Sequence, residues 1–232
     1  DIREACRIGL TSVRANAVPM VVLWFFGGFM VVVYFSLDPI RILLERISVW
    51  QNAAGWVGAF ANRIVTCGIV PGVFLLALPS LRPRHFVLTL LAETVWFGLQ
   101  SILVLAFYGW QCRLFGSGAG FGTLLFKTAV DQFAWTVLVI APMNAVFFLW
   151  LGADFSFADL KLLRTCEWWR LVYLPNLFLN WCVWIPAVAM IYAFPLDLQT
   201  HVAGVFGALW TLLCLRLGAV SATRLSERRN AS

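Results

Sequence analysis

Phe121–Leu151 reads FGTLLFKTAVDQFAWTVLVIAPMNAVFFLWL. Within it, Lys127-Thr128-Ala129-Val130-Asp131-Gln132 sets a base, an acid and an amide inside an otherwise apolar run. At 1.5 Å of rise per residue the run is long enough to cross the roughly 30 Å of a bilayer's hydrocarbon. Ionisable groups at that depth cost about 2.5–3.5 kcal/mol each on insertion scales, so they face protein or a water-filled cavity. Lys127 and Asp131 stand four apart and share one helical face. The chain therefore carries a charged seam through its middle, and its function has to account for that seam.

The rest of the chain agrees with a membrane reading. Hydrophobic residues make up 62% and charged residues 12%, with a mean hydropathy of +0.86. Soluble domains run near 45–50% and about 25% respectively. A soluble fold of this composition would lack the polar surface to solvate itself. The expected fold is all-α, a polytopic transmembrane helix bundle of about six spans: Val18–Leu37, Trp56–Pro79, Phe86–Gln111, Phe121–Leu151, Leu171–Phe194 and Gln199–Val220. The second span is interrupted by Asn62 and Arg63, and the fourth is long enough to be tilted, kinked at Pro142 or partly outside the bilayer. Turn residues mark the connections at Asp38-Pro39, Pro79–Arg84 and Gly116–Gly120. Three regions follow: 1–55, with an N-terminal tail, a span and a connector; 56–220, the main bundle; and 221–232, a basic tail.

Basic residues give the orientation. With six spans, Arg3, Arg7, Arg14, Arg82, Arg84, Lys161, Arg164, Arg170, Arg224, Arg228 and Arg229 share one side, against Arg41, Arg46 and Arg113 on the other. The positive-inside rule then places both termini in the cytoplasm or an organellar matrix. The net charge of +6 fits contact with anionic lipid headgroups. No basic, aromatic-interleaved face outside the membrane suggests nucleic acid. Asp1–Asn16 suits an amphipathic interfacial helix, and the following run is too long for a cleaved signal and reads as an anchor. The six cysteines are scattered singly, without metal spacing, and read as small apolar filler.

Helical rise gives the depth of each polar group. Arg63 lies about 10 Å into its span, Asp131 about 15 Å and Lys127 about 9 Å, all from the same side. An Arg63–Asp131–Lys127 cluster is expected, with Lys127 also able to snorkel back to the interface. On the third span Glu93, Trp96, Gln100, Phe107 and Gln111 share one face. Asn176 and Asn180 of the fifth span reach the depth of Glu93, so Glu93 and Asn180 are expected neighbours. Asn144 is expected to bind a carbonyl freed by Pro142. These groups either line a polar pathway or join helices, the ordinary use of amides and ion pairs in membranes.

Tryptophans are abundant. Trp50, Trp56, Trp110, Trp168 and Trp169 fall near expected interfaces, while Trp96, Trp135, Trp181 and Trp184 lie deeper and need partners for their indole N–H groups. Gly204 and Ala208 are spaced for a close helix approach. Catalytic and cofactor motifs are lacking. His85 and His201 sit in different loops on opposite sides, and the Gly116–Gly122 cluster lacks both P-loop spacing and a preceding strand. No enzyme activity, metal or cofactor is expected.

Leu174-Pro175-Asn176-Leu177-Phe178-Leu179-Asn180-Trp181-Cys182-Val183-Trp184-Ile185-Pro186 resembles the signature of the Mpv-seventeen and 22-kDa peroxisomal membrane protein family. There a Trp-Pro start leads to Asn-Trp, two residues and Trp-Pro. Phe194-Pro195 and Trp210 extend the match. Upstream, Lys127 through Asp131-Gln132 to Pro142 resembles that family's Lys-x-x-x-Asp-Gln segment, and Phe97-Gly98-Leu99 through Tyr108-Gly109-Trp110 its preceding span. The likeness runs in order over residues 56–220. Ile185 intrudes between Trp184 and Pro186, Ala189 and Tyr192 stand where the family has Gln and Asn, and Val18–Leu37 is an extra span. The resemblance implies a small helical protein of a bacterial cytoplasmic, mitochondrial inner or peroxisomal membrane, for which channel activity toward small solutes has been proposed.

The expectation is a channel or pore for small polar solutes, lined or gated by Lys127, Asp131, Gln132, Arg63, Glu93, Gln100, Asn176 and Asn180. Charged constrictions of this kind set selectivity in pores. Its partners are then membrane lipids, the solutes and a homo-oligomer or larger membrane complex. The rival is a non-catalytic structural or assembly subunit whose polar seams bind its own helices or a partner.

Overall fold

The structure is a computed structural model and describes residues 7, 10–11, 13–14, 17–77, 83–118, 120–157, 163, 165 and 167–211. It is all-helical, with no strand among the described residues. In chain order run α1 (Ala17–Ser36), α2 (Asp38–Ala53), α3 (Gly55–Ala77), α4 (Phe86–Phe115), α5 (Phe121–Gly152), α6 (Trp169–Tyr192) and α7 (residues 196–211). Four of these, α3 to α6, are long and apolar enough to cross a membrane, or five if the bent pair α1–α2 counts as one span. Four to five is thus the described count against the six expected. Of the expected last span, residues 199–211 form part of α7 and 212–220 lie outside the described residues, as do the C-terminal tail and Pro79–Arg82. Of the N-terminal tail, Arg7, Leu10, Thr11, Val13 and Arg14 are helical.

The connector expected at 38–55 is a helix. Asp38 and Pro39 occupy the first turn of α2, where a carboxylate suits the helix dipole and a missing N–H costs nothing. The glycine-rich connector after α4 is borne out: Gly116, at φ +82°, closes the helix with its N–H on the Cys112 carbonyl at 2.9 Å.

Among the described residues three stretches wind as π-helix: Ile64–Ile69 in α3, Asp131–Ile140 in α5 and Trp169–Tyr173 in α6. Each ends two residues before a proline, at Pro71, Pro142 and Pro175. A proline inside a helix lacks an N–H and crowds the carbonyl four residues back. Widening the preceding turn relieves the crowding. Pro186, inside the α-helical part of α6, has no such stretch before it. At Pro142, where a kink was one of the expectations, the helix carries a local change of register.

The chain separates into two compact units. The first comprises Val22–Ala129 and Pro186–Thr211. In it α3 and α4 pack antiparallel: Gly98 lies beside Phe60, Gly68 beside Thr94 and Gly72 beside Leu90. Small residues at these crossings let the two backbones approach, the usual means of joining helices where lipid offers no hydrophobic drive. Gly204 and Gly207 of α7 do the same for Asn62 and Arg63 of α3. The notch expected at Gly204 and Ala208 is thus formed by Gly204 and Gly207. The second unit comprises Val130–Ile185 with the terminal stretches Asp1–Val21 and Leu212–Ser232. Its core joins Ala141, Ala145 and Leu149 of α5 to Trp168, Val172, Tyr173 and Leu177. Trp168, expected at an interface, is buried in this cluster, whereas Trp50, Trp56, Trp110 and Trp169 are exposed.

Candidate functional site

In the first unit α4 buries one polar stripe. Thr89, Glu93, Gln100, Ser101 and Gln111 are all buried, with Phe97, Phe107 and Tyr108 between them. The spacing follows the 3.6-residue period read from the sequence, although Trp96 is only half-buried. The hydroxyl of Ser101 returns to its own helix, donating to the Gly98 carbonyl at 2.6 Å. Gln111 donates from Nε2 to the Lys127 carbonyl at 3.1 Å, while its Oε1 is unused among the described residues. Glu93 is 0% exposed, and neither Oε1 nor Oε2 has a hydrogen-bond partner among the described residues. Asn62 Oδ1 is also buried and unused there.

Two buried cations share this unit. Arg63 sits where α3 enters its π-helical stretch and donates from Nη1 to the Ala203 carbonyl of α7 at 3.0 Å. The same nitrogen lies 4.0 Å from Cys67 Sγ. Gly207 makes room for it: a Cβ there would collide with the guanidinium. Arg63 thus meets a backbone carbonyl of α7. Lys127 is 2% exposed, with Nζ 5.7 Å from the centre of the Tyr192 ring. The ring's negative face attracts the ammonium. Protein covers Lys127, and it does not snorkel outward as expected.

The second unit holds Asp131, Gln132, Asn176 and Asn180. Asp131 is buried at the start of the π-helical stretch, and its Oδ1 accepts from Gln132 Nε2 at 2.8 Å and Thr136 Oγ1 at 3.4 Å. Gln132 is 1% exposed, with Oε1 unused among the described residues. Asn180 is buried and Asn176 half-buried.

Two donors from α6 serve carbonyls of the π-helical stretch in α5. Trp181 Nε1 donates to Gln132 O at 2.9 Å and the Tyr173 hydroxyl to Val137 O at 2.8 Å. Val137 lies five residues before Pro142, so in π-helical register its carbonyl would pair with the N–H that proline lacks. Tyr173 supplies the missing donor. Asn144 is itself buried, and the carbonyl of Val137 takes its donor from Tyr173. Sequence reading found the need for a partner at Trp181 but missed Tyr173. The usable signal was a proline in the middle of an apolar run, which frees a carbonyl that some donor must meet.

Of the expected Arg63–Asp131–Lys127 cluster, Arg63 and Lys127 belong to the first unit and Asp131 to the second. Glu93 belongs to the first unit and Asn180 to the second. Each residue's partners above lie within its own unit. His201, expected in a loop, lies on α7. Among the family-like residues, Trp210 is buried, Trp181, Trp184 and Pro186 are half-buried, and Pro195 is exposed at the start of α7. The described residues contain no group of three or more His, Cys, Asp or Glu able to hold a metal ion. No family model, curated protein or solved structure matches this chain.

Proposed function

We propose that this protein is a membrane channel or pore for small polar solutes, with Glu93, Gln100 and Gln111 of α4 lining one stretch of the pathway. Arg63, Lys127, Asp131, Gln132, Asn176 and Asn180 are its further lining or gating groups. One observation carries the reading. Glu93 lies within a membrane-length helix, fully buried, with both carboxylate oxygens lacking a hydrogen bond among the described residues. Buried polar atoms are nearly always hydrogen-bonded, and a buried carboxylate without a partner is among the costliest arrangements a fold can hold. A passing water, cation or hydroxylated solute satisfies such acceptors, whereas a helix held together only by packing has no use for them. The unused Gln111 Oε1 further along the same helix, and Asn62 Oδ1, favour donor-bearing solutes over anions. The family-like motifs point to the same class of activity, in a bacterial cytoplasmic, mitochondrial inner or peroxisomal membrane, without a catalytic step. Reconstituted protein should pass small polar solutes across liposomes, and Glu93→Gln should lower the preference for cations over anions several-fold. Folded protein that supports no flux at any pH or voltage overturns the reading.

A structural or assembly subunit is the second reading, and particular contacts favour it. Arg63 on Ala203 O, Trp181 on Gln132 O and Tyr173 on Val137 O each use a polar group to join helices within a unit. Buried ionic groups are often replaceable by apolar residues of similar volume. Lys127→Leu with Asp131→Leu should then leave folding and association with other chains intact. Loss of solute flux in that variant, with folding preserved, favours the pore.

A further inference from the structure

The polar side of α2 makes the helix's hydrogen bonds to the rest of the protein, and its apolar side faces out. Arg41, Glu45, Ser48 and Asn52 recur at helical spacing and form one stripe. Three of them meet the rest of the protein: Glu45 Oε1 accepts from the Tyr34 hydroxyl at 3.2 Å, Ser48 is 4% exposed, and Asn52 Nδ2 donates to Asp197 O at 3.4 Å, with Glu45 and Asn52 themselves partly open to the outside. Ile40, Leu43, Ile47 and Trp50 form the opposite stripe and are exposed, Trp50 to 67%. A helix packed on a protein in water has the reverse arrangement.

Two further observations say what covers this face. The chain bends by 102° between α1 and α2, so α2 runs across the direction of the helix before it. Along α1, Phe25, Phe29 and Val32 form an exposed apolar stripe that leads up to the bend. A helix lying across the direction of an apolar, membrane-facing helix lies along the bilayer surface, and its outward apolar stripe continues the lipid-facing one. We propose that α2 is an interfacial helix whose Ile40–Leu43–Ile47–Trp50 face is seated in the lipid bilayer. Acyl chains, not charged headgroups, provide the attraction, because Arg41 and Arg46 on α2 are balanced by Asp38 and Glu45. Arg41 is moreover paired with Asp38 at 2.7 Å. Trp50, with its amphipathic ring, suits the boundary between headgroup and hydrocarbon.

The test replaces Leu43 or Ile47, one at a time, with a diazirine-bearing leucine analogue in full-length protein reconstituted into phospholipid vesicles. After illumination the adducts are identified by mass. Addition of phospholipid at both positions is expected, with addition of water at a diazirine placed at Asp38, which is 73% exposed at its side chain. A crosslink from position 43 or 47 to a second protein chain overturns the proposal and makes the face an interface between chains. Addition of water at those positions also overturns it, because the face is then in solvent. The near-isosteric analogues leave folding intact, and the result does not depend on whether the protein conducts any solute.

Discussion

Tyr173→Phe removes one oxygen and tests whether the hydroxyl replaces the N–H that Pro142 lacks. The hydroxyl donates to Val137 O at 2.8 Å, and the ring beside it is buried against Trp168 and Trp169. Phenylalanine keeps the ring contacts and loses only the donor. A carbonyl left unpaired in a protein interior costs about 1–3 kcal/mol. Side-chain hydrogen bonds between membrane helices average nearer 0.6 kcal/mol, with a maximum of about 1.7. A loss of about 1–2 kcal/mol is expected in the wild-type background. Pro142→Ala restores a backbone N–H that reaches Val137 O in π-helical register, and on reversion to α-helix the Ala141 N–H takes the same carbonyl. In either case Tyr173→Phe should cost only a few tenths of a kcal/mol in the Pro142→Ala background. The four proteins form a double-mutant cycle, read from reversible unfolding in mixed detergent micelles, with an expected coupling of about 0.5–1.5 kcal/mol. Equal losses in both backgrounds would refute the assignment of Tyr173 as a substitute for the proline's missing donor.

The other predictions concern the first unit. Gly207→Ala drives a Cβ into the Arg63 guanidinium and should destabilise by about 1–3 kcal/mol, measured in the same unfolding assay. Gly28→Ala, where no neighbouring atom lies within 4 Å of the new Cβ, is the control and should be neutral or slightly stabilising. Arg63→Met leaves the Ala203 carbonyl without its donor and should cost about 1–3 kcal/mol, while Arg63→Lys should recover part of that loss. Glu93→Leu removes two unpaired buried oxygens and should raise stability by about 1–3 kcal/mol while abolishing cation preference in flux measurements. Stability lost in that variant would mean that Glu93 holds the fold together and does not serve a solute.

Much of the fold was legible in the sequence because crossing a bilayer is a one-dimensional requirement. Run length alone located α3 to α6 to within a few residues, and the apolar run of α1 as well. The polar stripe of α4 was legible for a similar reason: Glu93, Gln100 and Gln111 fall at helical spacing, and all three are buried. The helical nature of α2 was hidden by its low mean hydropathy. The signals present were Asp38-Pro39 at its start and the four-residue rhythm of Arg41, Glu45, Ser48 and Asn52.

Where a side chain sits along a helix axis follows from residue count, and that much the amino-acid order determined. Which neighbour it meets also depends on the angle around the axis, on which helix stands there and on how closely the two approach. Depth arithmetic therefore could not name Ala203 O as an acceptor for the Arg63 guanidinium, because Gly207 opens a space on α7 that no count along α3 can reveal. Lys127 likewise has a stem long enough to reach an interface, but only packing supplied the Tyr192 ring. The partner of a freed carbonyl at Val137 is of the same kind. Its need was written in Pro142, and its answer, Tyr173, lies thirty-six residues away and becomes a neighbour only when α5 and α6 pack.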